Sequence, residues 1–139
     1  MATTADLPRL ADRTGRYEAF RRWLRIAMAA NVVVGLALLL FPESLRALLS
    51  LPVAADAIWI RYVGLFIVVS TVSYTPAAVF PPAARFIGLY AILVRLVFVV
   101  FFLIAGGGFL WFALFDAVFG VILASTFLAG VRDDLAKRP

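Results

Sequence analysis

The fold is decided by residues 84–131, which read ARFIGLYAILVRLVFVVFFLIAGGGFLWFALFDAVFGVILASTFLAGV. Two long apolar runs flank a triplet of glycines at 106–108. An apolar run of about 20 residues is long enough for an α-helix to cross the hydrocarbon core of a bilayer. Successive glycines favour a turn. The stretch therefore predicts a hairpin of two membrane-spanning helices, at about residues 84–104 and 109–131.

The same pattern recurs upstream of the hairpin. Apolar runs occupy residues 23–41 and 57–80, and each is followed by proline, at Pro42 and at Pro81–Pro82. Proline cannot continue a helix, so these positions end the two runs. Residues 1–139 are thus predicted to form a single transmembrane domain, an all-α, integral membrane four-helix bundle.

The two ends of the chain are polar. In residues 1–22, apolar side chains recur at helical spacing among several arginines, which favours an amphipathic helix on the cytoplasmic membrane surface. A solvated tail is the alternative for this segment. Residues 132–139 are predicted to be a polar cytoplasmic tail.

Composition supports the membrane assignment and excludes several kinds of chemistry. Hydrophobic residues make up 65% of the chain and charged residues 15%, against roughly 45–50% and 25% in soluble domains. Because the chain has no Cys and no His, we expect no disulfide, no zinc or haem site and no histidine base. We therefore expect no metal, no cofactor and no catalytic residue of the usual kinds.

Basic residues predict the orientation. The net charge is +5, and basic residues of membrane proteins concentrate in cytoplasmic loops. If both termini are cytoplasmic, the inner side holds Arg9, Arg13, Arg16, Arg21, Arg22, Arg25, Arg85, Arg132, Lys137 and Arg138. Only Arg46 and Arg61 then lie at the outer side. The basic residues flank apolar segments, so we expect contact with membrane lipids and none with nucleic acid.

A charged pair is predicted at the membrane midplane. If the hairpin turns near Gly106, residues at equal depth on its two arms sum to about 212, which brings Arg95 within one residue of the depth of Asp116. A charge at this depth is costly unless it is paired or functional. Arg and Asp suit each other because a guanidinium can donate two hydrogen bonds to one carboxylate. We expect an ion pair that faces the bundle interior.

The other two spans also carry polar groups at this depth. The same counting matches Arg95 with Ser70 or Thr71 on the second span, and Asn31 lies in the middle of the first. Tyr74 shares a helix face with Ser70. Two hypotheses stay open for this set. It is a polar clamp that holds the helices in register, or it is a midplane pocket that binds a small ligand or relays a proton through Asp116.

A second polar group is predicted at the outer face. Glu43 ends the first span, Arg61 begins the second, and Asp56 precedes it by five residues. A Glu43–Arg61 or an Asp56–Arg61 ion pair is expected there.

The layout resembles the small four-helix DoxX-like bacterial membrane proteins. The likeness covers roughly residues 24–130 and rests on an Arg-aromatic-x-Gly opening (Arg61–Gly64), a Tyr-x-Pro (Tyr74–Pro76), an Arg in the third span and an Asp in the fourth. The resemblance implies a four-helix fold and, for some members, a role as membrane partner of a redox system. Together with the dominance of Arg over Lys, it implies a bacterial cytoplasmic (inner) membrane as the location.

Three functions are compatible with these residues. The first is a non-catalytic accessory or scaffold subunit in a homo-oligomer or larger membrane complex, suggested by small residues at helical spacing in the fourth span (Ala113, Ala117, Gly120, Ala124). The second is a binder or carrier of a small lipophilic or anionic ligand in the midplane pocket. The third is a membrane enzyme on a lipid-soluble substrate that uses Asp116.

Overall fold

The chain is helical throughout the part that can be described. A computed structural model describes residues 15, 17–51 and 57–136, and no strand occurs among them. The helices are α1 (Glu18–Leu40), α2 (Pro42–Leu48), α3 (Ala57–Val72), α4 (Thr75–Val79), α5 (Arg85–Ala105) and α6 (Leu110–Ala136), with a 3₁₀ turn at Gly107–Phe109. Three segments are long and apolar enough to cross a membrane, namely Glu18–Leu40, Arg85–Ala105 and Gly107–Ala136.

The segment predicted to be one span at 57–80 is two helices. Helix α3 ends at Val72 and α4 begins at Thr75, with a turn at Ser73–Tyr74 between them. Pro76 lies in the first turn of α4. A proline there has no N–H to donate to the preceding turn, and its ring opposes a continuous helix. The prediction of a single helix over these residues is corrected accordingly.

The first and last helices of the described chain, α1 and α6, have ends that differ from the prediction. Helix α1 begins at Glu18, so no break separates a surface helix at 1–22 from a span at 23–41. Residues 1–14 of the predicted surface helix lie outside the described residues. Helix α6 continues to Ala136, so most of the predicted tail at 132–139 is helical. The reason is that Asp134 is buried and forms an ion pair with Arg85, which keeps the last turns on the bundle.

Helices α1, α3, α5 and α6 form an open ring. Helix α1 packs along α3 and also contacts α6, and α6 packs along α5. The order around the bundle is therefore α3, α1, α6, α5, and no comparable packing joins α3 to α5. The short helix α4 contacts α1 and α5 and closes the ring at one end only.

The closest approach in the ring lies between α1 and α3. A Cβ added to Gly64 would lie 2.5 Å from the carbonyl oxygen of Gly35, and one added to Gly35 would lie 2.8 Å from the carbonyl oxygen of Gly64. Only two glycines let the helix backbones meet in this way. The crossing anchors α3, which makes few other contacts along its length, to α1.

Helices α1 and α5 begin, and α6 ends, at the same end of the bundle, which we call the arginine end. The apolar core lies there. Phe20 and Leu24 of α1 are buried there together with Leu123 and Phe127 of α6. The rings of Phe20 and Phe127 meet edge to face, 5.2 Å apart. Such pairs add to the free energy of apolar burial. This core holds α1 against α6 and supports the polar residues further along both helices.

Candidate functional site

An ion pair lies between the two arms of the predicted hairpin. The Nη1 of Arg95 on α5 donates a hydrogen bond to the Oδ1 of Asp116 on α6, at 2.6 Å. The side chains are 6% and 16% exposed, respectively. The ion pair predicted by counting from Gly106 is confirmed, and its burial inside the bundle explains how two charges persist in an apolar segment.

The pair extends into a chain of hydrogen bonds that crosses the bundle. The Nη2 of Arg95 donates to the Oδ1 of Asn31 on α1 at 3.1 Å. The Nδ2 of Asn31 then donates to the Oγ1 of Thr71 on α3 at 3.3 Å. Thr71 also donates to the carbonyl oxygen of Ile67 on its own helix. The chain of hydrogen bonds therefore joins one polar side chain from each of α1, α3, α5 and α6, at the positions that the sequence places near the midplane.

Aromatic rings enclose the guanidinium on the side of α6. The Cζ of Arg95 lies 5.7 Å from the ring centroid of Phe115 and 5.3 Å from that of Phe119. Both distances are within the range of cation–π attraction, which grows when the cation is desolvated. A Cβ added to Gly120 would lie 3.7 Å from the Cβ of Arg95, an ordinary van der Waals contact. Helix α6 thus contributes the counter-ion and also an apolar seat for the cation.

A cavity of about 650 Å³ lies beside this network. Its volume is within the ~300–1,000 Å³ range of small-molecule sites in proteins. It occupies the gap between α3 and α5, with α1 and α6 behind it. Its polar lining residues are Asn31, Ser70, Tyr74, Tyr90, Arg95 and Asp116. Its apolar walls consist of Val34, Val63, Phe66, Ile67, Leu93, Val94, Val97, Phe98, Phe102, Phe112 and Phe115.

Ser70 and Tyr74 contact the cavity in different ways. The hydroxyl of Ser70 donates to the carbonyl oxygen of Phe66, 2.6 Å away on the same helix, so the polar chain across the bundle runs through Thr71 and not through Ser70. Tyr74 is buried, and its ring lies 6.5 Å from that of Tyr90 on α5. These two tyrosines face each other at the end of the cavity nearest the arginine end.

Of the two ion pairs predicted as alternatives at the outer face, the Glu43–Arg61 pair is corrected by the structure. The Nε of Arg46 donates to the Oε2 of Glu43 at 2.8 Å, three residues apart on α2, so Glu43 pairs with Arg46 and not with Arg61. A partner one helical turn away costs less conformational entropy than one on another helix. Arg61 is exposed. Asp56, the other predicted partner of Arg61, lies outside the described residues.

The arginine end contains two polar contacts that sequence reasoning missed. Arg85 at the start of α5 forms an ion pair with buried Asp134 near the end of α6. Arg21 and Arg25 of α1 both donate to the carbonyl oxygen of Ala78 at the end of α4, at 3.4 and 3.2 Å. Cations stabilise the carbonyl end of a helix. Spacing on α1 showed the arginines, but nothing in the sequence showed that α4 would end against them.

Several of the small residues at helical spacing are buried in contacts between helices of this same chain. Ala113 and Gly120 of α6 are buried, as are Ala27 and Gly35 of α1. Contacts between helices of this chain therefore account for much of this spacing. The small residues had suggested an accessory subunit. That function stays a prediction.

The described residues contain no group of three or more His, Cys, Asp or Glu side chains that could hold a metal ion. Asp116 stands apart from other carboxylates and is bound to Arg95. The site offers hydrogen-bonding groups beside apolar side chains. The resemblance to DoxX-like proteins rests on the sequence features quoted above, and searches of protein-family models, of curated proteins and of solved structures each found no match for this chain.

Proposed function

We propose that the chain crosses the cytoplasmic membrane of a bacterium four times, with the arginine end and both termini in the cytoplasm. The starts of α1 and α5 meet the end of α6 there, which brings Arg21, Arg22, Arg25, Arg85 and Arg132 to one end of the bundle. Arg46 and Arg61 lie at the opposite end, together with the exposed Trp59 and Trp111. This asymmetry of arginines is typical of the cytoplasmic side, and tryptophans favour the membrane interface.

The second crossing is formed by α3 and α4 together. The 16 residues of α3 span about 24 Å at ~1.5 Å per residue, less than a hydrocarbon core of roughly 30 Å. Helix α4 adds length toward the arginine end. The free backbone groups at the break are partly satisfied, since the N–H of Tyr74 donates to the carbonyl oxygen of Thr71. A broken helix is compatible with a membrane when the break is buried in protein, and Tyr74 is buried.

We propose further that the protein binds a small lipophilic molecule in the cavity between α3 and α5. The observation that carries this proposal is a largely apolar cavity of about 650 Å³ with a buried, hydrogen-bonded Arg95–Asp116 pair in its wall. Ligand sites combine apolar walls with a few polar groups that orient the ligand. A structural clamp does not require a gap of this size between α3 and α5, because closer packing of the helices would gain dispersion energy.

The proposal is tested with two adjacent valines of α1. Val34 lines the cavity, whereas Val33 is exposed on the outer surface. The chain is purified from its membrane in mild detergent and released intact from micelles into a mass spectrometer. We expect wild type and Val33→Phe to carry a bound small molecule at about one per chain, and Val34→Phe to lose it because the larger ring fills the cavity.

Two results of this mass measurement would contradict the proposal. If Val34→Phe retains the same bound molecule as wild type, the cavity is not its site. If wild type and both variants appear only as bare chains, the protein has no tightly held ligand in this cavity. Thermal unfolding of the two variants, measured in the same detergent, verifies that each is folded before the masses are compared.

A further inference from the structure

If the cavity binds a ligand, as proposed above, the charges in its wall limit the kind of molecule that the cavity accepts. The guanidinium of Arg95 is neutralised by Asp116 at 2.6 Å, and its second terminal nitrogen donates to Asn31. No other Lys, Arg, Asp or Glu is among the lining residues of the described cavity. The wall is therefore polar at one place and carries no net charge. An ionic head group placed there is desolvated without a counter-ion of its own, which is costly at membrane depth.

We propose that the ligand is a neutral lipid whose head is a hydroxyl or carbonyl group, and that it is admitted sideways from the bilayer between α3 and α5. A neutral head matches the polar groups beside the ion pair. Asn31, Tyr74 and Asp116 each line the cavity, and each has a side chain that can donate or accept a hydrogen bond. A hydroxyl can do both, so it can bind without breaking the Arg95–Asp116 pair.

The sideways route follows from the open ring of helices. At the rim of the cavity, Val63 and Phe66 of α3 face Leu93 and Val97 of α5, and all four side chains are about half exposed or more. The back wall is closed, because α1 packs on both α3 and α6 and α6 packs on α5. At the arginine end, α4 bridges α1 and α5. A molecule dissolved in the acyl-chain layer therefore reaches Asp116 through an apolar rim and never has to cross water.

Two matched substitutions test the route. Val97 of α5 and Val121 of α6 are each 67% exposed on a long helix, but only Val97 lines the cavity. Val97→Trp places an indole at the rim, and Val121→Trp places the same group on an outer face. Val63→Trp obstructs the rim from the opposite side and serves as the second rim variant if Val97→Trp fails to fold.

The head group is tested with three photoreactive probes that share one alkyl chain: hexadecanol, hexadecyl sulfate and hexadecyltrimethylammonium, each bearing a diazirine. Purified wild-type chain is reconstituted in phosphatidylcholine vesicles, each probe is added to the membrane, and labelled peptides are identified by mass spectrometry. We expect hexadecanol to label cavity-lining peptides at least about tenfold more than either charged probe, because burying an unpaired charge is costly. Val97→Trp lowers this labelling, and Val121→Trp leaves it at the wild-type level.

The outcomes separate this inference from the proposed function. If hexadecyl sulfate or hexadecyltrimethylammonium labels the cavity as well as the alcohol does, the neutral head group is wrong while binding in the cavity stands. If both rim variants take up hexadecanol as wild type does, the sideways route is wrong. If none of the three probes labels cavity peptides in any variant, the proposed binding function itself fails.

Discussion

Removing one member of the Arg95–Asp116 pair is predicted to destabilise the bundle more than removing both. Asp116→Ala leaves the Arg95 side chain, which is 6% exposed, with Asn31 as its remaining hydrogen-bond partner in this network. Breaking a buried ion pair in this way costs about 3–5 kcal/mol, because the remaining charge is buried without compensation. Replacing a buried pair by apolar residues of similar volume is often neutral or stabilising. The double variant Arg95→Met with Asp116→Leu should therefore unfold at a free energy close to or above that of wild type.

The assay is equilibrium unfolding in mild detergent by titration with dodecyl sulfate, followed by circular dichroism. We expect the single variant to lie at least about 3 kcal/mol below the double variant. Asp116→Asn, which keeps an acceptor oxygen for Arg95 but loses the charge, should fall between them. Equal unfolding free energies for Asp116→Ala and the double variant would refute the reasoning, because they would show that the lone guanidinium escapes to water or lipid head groups.

Two further substitution pairs test other contacts of the fold, each by the same unfolding titration. Gly64→Ala should destabilise by about 1–3 kcal/mol, since its Cβ would overlap the backbone of α1. Gly120→Ala, which meets only ordinary contacts, should be neutral or stabilising by up to about 1 kcal/mol, and equal losses for the two would contradict the α1–α3 crossing. Asp134→Ala should cost about 2 kcal/mol or more because it leaves Arg85 without its buried partner. Asp133→Ala, an exposed neighbour, should change little, and the reverse order would show that the α6 end is assigned wrongly.

The polar centre was predictable because a helical hairpin converts sequence separation into depth. Once Gly106 is taken as the turn, a rise of ~1.5 Å per residue places Arg95 and Asp116 at one height. The same rule placed Ser70 and Thr71 near that height, and Asn31 was placed there by its position in the middle of the first span. The rule left Ser70 and Thr71 as alternatives, because depth alone does not say which of two successive side chains points into the bundle. The structure resolves this through the bond from Asn31 to Thr71.

A proline in the sequence indicates the break in the second predicted span. Pro76 lies within residues 57–80, and a proline inside an apolar run ends or kinks a helix. The pairing of Glu43 with Arg46 was also readable, as opposite charges three residues apart on a short helix. In both cases an effect between residues close in sequence decides the structure: the proline ends a helix, and Glu43 pairs with a residue of its own helix.

The cavity and the Arg85–Asp134 pair were not predictable from depth. Counting along helices gives the height of each residue but not which helices are neighbours around the bundle. The gap between α3 and α5 follows from the order α3, α1, α6, α5, which is a property of packing. Asp134 was assigned to a polar tail because charged residues usually end a span, whereas its ion pair with Arg85 keeps it buried.

The ion pair at the centre of the bundle is the claim on which the cavity, its neutrality and the hydrogen-bonded chain all depend. It is tested most directly by solid-state NMR on the protein in lipid bilayers, with ¹³C in the aspartate carboxyls and ¹⁵N in the arginine guanidinium groups. A bonded pair with a nitrogen–oxygen separation of 2.6 Å predicts a carbon–nitrogen dipolar coupling in addition to that of the Arg85–Asp134 pair. Asp116→Asn is expected to remove only the coupling to Arg95. A spectrum that is unchanged by Asp116→Asn would contradict the account, because Arg95 and Asp116 would then not meet in the membrane.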